Sequence, residues 1–126
     1  MSSLEGIGRA GEFLAASILE ARGSRASHVT IYGTDLWVET PSGRMLRIQV
    51  KTASKSVPPT GPYKEVYRFL NARKTQPHHP PDLYLFVALD RQLILIRDTM
   101  AVGGIRVAAK QFTPENQEAT ISKYLY

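Results

Sequence analysis

The tripeptide Pro41-Ser42-Gly43 stands between two segments that alternate polar and apolar residues, and no other feature restricts the chain as much. Thr34 to Thr40 sets Asp35, Trp37 and Glu39 against Leu36 and Val38, and Arg44 to Lys51 repeats the alternation, which is the period of half-buried strands. Proline presets the first loop position and glycine accepts the left-handed conformation, so the tripeptide predicts a three-residue hairpin loop closed by Thr40 and Arg44. Counting back from that closure places Leu36 opposite Ile48 and Val38 opposite Leu46, an apolar face. The other face sets Asp35 opposite Gln49 and Trp37 opposite Arg47, with Lys51 one step beyond Gln49, about 6 to 7 Å along the strand. A slip of one residue would break the apolar face, so hydrophobicity itself argues for this register.

An acid, an amide oxygen and a lysine on one strand surface suit a hard divalent cation beside a phosphodiester. Magnesium takes oxygen ligands in octahedral geometry and keeps several waters, so a few protein oxygens hold it. Lys51 adds a mobile point charge for a developing phosphorane or for orienting water. The plainer reading of the same residues is a solvated, charged sheet face.

Gly8-x-x-Gly11-Glu12 on a first helix, then Asp35, then Ile48-Gln49-Val50-Lys51-Thr52, resembles the PD-(D/E)xK nuclease superfamily in its Gln-x-Lys form. The likeness runs from about Gly6 to about Arg97 and is greatest to Holliday junction resolvases and the PD-(D/E)xK homing endonucleases of group I introns. It implies a metal-dependent DNA endonuclease with a restriction-endonuclease-like fold. By the same resemblance Asp35 is the central metal ligand, Lys51 the catalytic lysine and Glu12 an additional acid acting on the metal or its water. Gln49 and the main-chain carbonyl of Val50 complete the implied ligand set. Gln49 departs from the acid usual at its position and ligates without charge, which weakens metal affinity and puts a second ion in doubt. Thr34 replaces the name-giving proline, which is often missing in the family.

Other signals point elsewhere and fail on context. Gly6-x-Gly8-x-x-Gly11 spells a dinucleotide fingerprint, but too few residues precede Gly6 for the strand that motif requires. Gly8 and Gly11 are better read as letting the first helix lie close on the sheet, which brings Glu12 towards Asp35. His78-His79 sits in a proline-rich stretch without a third ligand at matching spacing, so an exposed loop is expected. Glu39 lies roughly 13 Å from Asp35 along the strand, too far to share an ion. Glu20 lies about 12 Å along the helix from Glu12 and reads as a surface acid.

A chain of 126 residues is long enough for one core, and a single domain over 1–126 is expected. The absence of cysteine excludes disulfides and thiolate metal sites. No apolar stretch reaches the roughly 20 residues of a membrane span, and no secretory signal is evident, so the reading is cytoplasmic with no membrane partner. A net charge of +5 favours a polyanion. Arg44, Arg47, Lys51 and Lys55 follow one another along the hairpin, and Lys64, Arg68, Arg73 and Lys74 surround the next strand. With Arg9 on the first helix, they are the expected phosphate contacts of a salt-sensitive DNA grip. Trp37 beside Arg47 reads as a stacked pair, or as a platform for an unstacked base.

The remainder is scaffold. A first helix is expected over Ile7 to Arg22 with Gly23 as its stop, and a short strand over Val29 to Tyr32. Ser54 to Pro62, rich in proline, predicts a mobile loop without regular structure. Strands are expected at Glu65 to Asn71, Asp82 to Leu89 (buried on both faces) and Gln92 to Arg97, with a turn at Gly103-Gly104. Thr113-Pro114 caps a last helix to about Tyr124. The sum is an α/β domain, a mixed sheet of about five strands flanked by an N-terminal and a C-terminal helix. The expected activity is magnesium-dependent DNA hydrolysis, with manganese as the alternative ion and no small-molecule cofactor. A homodimer would cut both strands of branched DNA. A sequence-specific homing or restriction-type enzyme is the runner-up, and a catalytically silent DNA-binding module the alternative of another class.

Overall fold

The computed structural model describes residues 3–31, 33–59, 62, 64–70 and 80–126. Helix α1 (Leu4–Ala21) starts at Ser3, whose side chain accepts from the Gly6 N–H at 3.0 Å. It ends where the Ser24 N–H bonds the Leu19 carbonyl and the Gly23 N–H bonds that of Glu20, with Gly23 at φ +92°. That is the Schellman closure, which glycine adopts without a Cβ clash. Strand β1 (Arg25–Ile31) follows and is longer than expected, because Arg25 to His28 pair with β2 (Thr34–Glu39).

The hairpin of β2 and β3 (Met45–Ala53) has the expected register, with Leu36 opposite Ile48, Trp37 opposite Arg47 and Val38 opposite Leu46. Its loop closes by Thr40 N–H to Arg44 carbonyl at 2.8 Å, with Gly43 at φ +91°. Strand β3 then runs parallel to β5 (Leu83–Ala88), which pairs antiparallel with β6 (Leu93–Arg97). The result is a mixed five-stranded sheet in the order β1-β2-β3-β5-β6.

Both helices cover one face of that sheet. Ala15 and Leu19 of α1 and Ile121 and Leu125 of α2 (Pro114–Leu125) share an aliphatic core with Leu36, Val38, Ile48, Leu85, Val87 and Ile96. Helix α2, capped by Thr113 with Pro114 in its first turn, also protects the edge strand β6. The buried Gln117 accepts from the Ile94 N–H at 2.9 Å and Thr120 from the Ile96 N–H at 3.3 Å, so the open edge meets side chains instead of another strand.

The opposite face departs from the expectation. The strand expected over Glu65 to Asn71, β4 (Val66–Leu70), leaves the main sheet and pairs antiparallel with β7 (Gly104–Ala108). Sequence reading gave only a turn at Gly103-Gly104, because five residues split by Arg106 show too short an alternation. The ribbon packs an aromatic core in which Tyr67, Phe69 and Phe112 meet Tyr84 and Phe86. Strand β5 is therefore buried along its whole length, as its continuous apolar run predicts.

Ser54 to Pro62 is also more ordered than expected as far as it is described. Val57 exchanges both main-chain hydrogen bonds with Val66, and Ser56 donates to Glu65, so the segment is pinned to the start of β4.

Candidate functional site

Alternation places Asp35, Gln49 and Lys51 on one side of the hairpin, since their neighbours Leu36, Ile48 and Val50 point into the aliphatic core. The β2–β3 ladder stops at Leu36 and Ile48, one step short of Asp35. Instead the Asp35 carboxylate accepts the Val50 N–H at 2.7 Å. In an extended strand a residue's N–H and C=O point to the same side, so the Val50 carbonyl also faces Asp35. Asp35 and the Val50 main chain thus meet at the open end of the hairpin, with Gln49 on the Asp35 side of the neighbouring strand by alternation.

Glu12 reaches the same place from α1, because the helix lies unusually close to β3. A Cβ on Gly11 would stand 1.8 Å from the Thr52 hydroxyl oxygen, so only glycine permits this approach. Gly11 therefore has the role expected of it. Gly8 does not, since a Cβ there meets nothing within 4 Å. Glu12 stands in the field of Asp35: burial first, and the Asp35 charge second, push its carboxyl above the ordinary carboxylate value, against a lowering by Arg9. The Asp35 charge thus disfavours ionisation of the partly buried Glu12. His28 was missed by sequence reading. It packs its ring at 4.6 Å on Phe13, with Nε2 3.9 Å from the Glu12 carboxylate. Had the alternation before Val29 been followed, His28 would have fallen opposite Leu36, on the face that α1 covers.

The expected phosphate contacts divide into groups. Lys55 lines a groove of about 390 Å³ with Lys51, Thr52, Gly8, Leu4 and Arg68. Arg9 is exposed on α1, 5.7 Å over the Phe13 ring, and Lys64 is exposed just before β4. Arg44 instead serves the opposite end of the hairpin, where its guanidinium donates to the Tyr124 carbonyl at 3.0 Å. Arg47 is held by the Pro80 carbonyl at 3.1 Å and lies 3.7 Å from the Asp82 carboxylate. It makes no stack on Trp37, which remains 42 % exposed. The expected stacked pair is corrected accordingly. Arg73, Lys74, His78 and His79 lie outside the described residues. Glu20 is exposed as expected and accepts the Ala26 N–H at 2.7 Å.

No group of three or more His, Cys, Asp or Glu side chains able to hold a metal occurs among the described residues. The site offers two carboxylates, an amide oxygen and a main-chain carbonyl. That all-oxygen donor set fits a magnesium-like ion, and the mutual repulsion of Glu12 and Asp35 is what a cation between them would relieve.

The chain forms an α/β fold with a mixed five-stranded sheet whose one face carries both helices. Its particular likeness is to the solved structure of a bacterial homing endonuclease, I-Ssp6803I, with a TM-score of 0.70 at 19 % identity, covering 94 % of this chain and 89 % of that one. No protein-family model matches the chain, and no curated protein matches it. No helix among the described residues is long and apolar enough to cross a membrane.

Proposed function

We propose that the protein is a metal-dependent DNA endonuclease that hydrolyses phosphodiester bonds. The observation behind this reading is the meeting of Glu12 and Asp35, brought together by the Gly11–Thr52 contact beside Lys51. Asp35, Glu12, the Gln49 amide and the Val50 carbonyl would hold magnesium or manganese. When bound, such an ion supplies Lewis acidity to phosphate oxygens and acidifies water. Asp35 is oriented by the Val50 N–H, which bonds its carboxylate at 2.7 Å. Lys51 follows directly along β3, and its ammonium offsets the charge that builds on the phosphate during attack. Glu12 would help hold the ion or would orient the attacking water and accept its proton. Gln49 contributes geometry without charge.

Among substrates, a defined site on linear duplex DNA is favoured over a four-way junction. Support comes from near end-to-end likeness in fold to a protein described as a homing endonuclease. Cutting both strands calls for two copies of the site, hence a symmetric dimer. The test is cleavage of a linear duplex library and of a four-way junction in magnesium and in manganese, by the wild type and by Asp35→Asn and Lys51→Ala. The expected result is cutting of the library at a restricted set of sites, abolished by both substitutions. Equal cutting of junctions of many sequences would return the substrate to branched DNA. Binding without cleavage in either metal would make the chain a silent DNA-binding module.

A further inference from the structure

The β4–β7 ribbon sets two arginines directly against each other. Arg68 pairs with Arg106 across the ladder, and both are exposed. Like charges at directly opposed positions destabilise a strand pair, and neither guanidinium has an acidic partner among the described residues. The inward residues Tyr67, Phe69 and Val107 explain how the ribbon is held down, and nothing in that packing requires cations on its outer side. Next to the pair, Leu70 is 70 % exposed opposite Gly104, which has no side chain to shield it.

The ribbon's outer side is continuous with the candidate site. Arg68 and Leu70 line a depression of about 420 Å³ with Arg106 and Gly103, and they also wall the groove that contains Lys51 and Lys55. A track of cations therefore runs from Lys51 through Lys55 and Arg68 to Arg106. Two strands about 4.8 Å apart, with side chains projecting from both, suit a DNA major groove about 12 Å wide and exceed a minor groove about 6 Å wide.

We propose that the outer face of the β4–β7 ribbon, with Arg68 and Arg106 at its centre, lies in the major groove of duplex DNA beside the cleavage site. The polyanion relieves the repulsion between the two arginines, and their planar forks match guanine edges as well as phosphates. The location of the duplex rests on the endonuclease reading, whereas DNA binding by the ribbon is measurable without any cleavage.

The experiment uses the whole chain in calcium or EDTA, so that no strand is cut, and follows binding of a fluorescent random-sequence duplex across a salt series. Arg68→Gln/Arg106→Gln is compared with wild type and with Arg25→Gln, an exposed arginine on the outer strand β1. The double variant is expected to bind about tenfold or more weaker than the Arg25 control. Its salt slope should fall by roughly one unit per arginine lost, and its thermal midpoint should hold or rise. The rise is a readout that a merely structural pair would not give. Arg68→Lys/Arg106→Lys keeps the charge and should recover most non-specific binding, which covers the case of a glutamine pair that folds poorly. Affinity equal to that of the Arg25 control overturns the proposal. So does a change in oligomeric state, which would make the ribbon a contact between copies. Ribbon-dependent binding by a wild type that never cleaves in magnesium leaves this inference standing and removes the endonuclease reading. Cleavage unaffected by the ribbon does the reverse.

Discussion

The two ends of the β2–β3 hairpin are built on opposite electrostatic terms. At the turn, Arg44 and Arg22 have both found partners. Thr40 bonds Arg44 twice, through its N–H at 2.8 Å and its hydroxyl at 3.1 Å, and Arg44 reaches the end of α2. Nearby, the Arg22 guanidinium grips the Glu118 carboxylate through Nε and Nη2, the Nε bond being 2.6 Å, and the Tyr126 hydroxyl donates to the Arg22 carbonyl at 2.8 Å. At the open end, the Asp35 charge opposes ionisation of the partly buried Glu12, and the Thr52 hydroxyl is buried with no hydrogen-bond partner among the described residues. One end spends its polar groups on stability and the other leaves them in conflict. Local conflict of that kind, in a chain otherwise consistent with its fold, marks the place where function is sought.

The widest separation of the two ends is expected in cleavage. Asp35→Asn and Lys51→Ala should each lower the rate by on the order of 10²–10³-fold while the thermal midpoint stays close to wild type. A large fall in midpoint would show the open end to be as structural as the turn. Gly11→Ala comes next, because its methyl group has nowhere to go against Thr52. Overpacking there should cost about 1–3 kcal/mol by urea unfolding and displace Glu12, so cleavage falls as well. An unchanged midpoint would mean that α1 shifts freely over β3.

A third test uses the sign of the Glu12 shift. Its raised value means that its contribution to stability is full below the ordinary carboxylate value of 4.5 and is lost as pH rises through the folded value. Metal-free Glu12→Gln should therefore gain on wild type from acid to neutral pH, and Asp35→Asn should lower the pH at which Glu12 ionises. A difference that shrinks as pH rises would show that folding does not raise the Glu12 value. The smallest effect belongs to the turn end. Glu118 is held below the ordinary value chiefly by its bond to Arg22, so that pair stabilises above the unfolded value and is lost as pH falls through the folded one. Both side chains are substantially exposed, and Glu118→Gln should cost no more than about 1 kcal/mol at neutral pH. A larger cost would make the satisfied end more than a surface clamp.

Much of this contrast is legible in the chain itself. The hairpin register follows from Pro41-Ser42-Gly43 and from Leu36, Val38, Leu46 and Ile48, because turn chemistry and a period of two act between residues close in sequence. The caps Ser3 and Thr113 and the closure at Gly23 are equally local. The site was legible where it sat on those elements, as Asp35 and Lys51 do. His28 and Arg106 were not, since the one gains meaning from Glu12 across a helix and the other from a partner strand far earlier in the chain.

Sequence by itself determined both helices and most of the strands, how the central hairpin registers and which acids and lysine lie along it. Tertiary structure alone decided that β4 abandons the main sheet for β7, that Arg44 and Arg47 serve packing, and that Arg68 faces Arg106. The reason is range: periodicity and capping are settled within a few residues, whereas strand partnership depends on which apolar faces remain to be buried once the rest has folded.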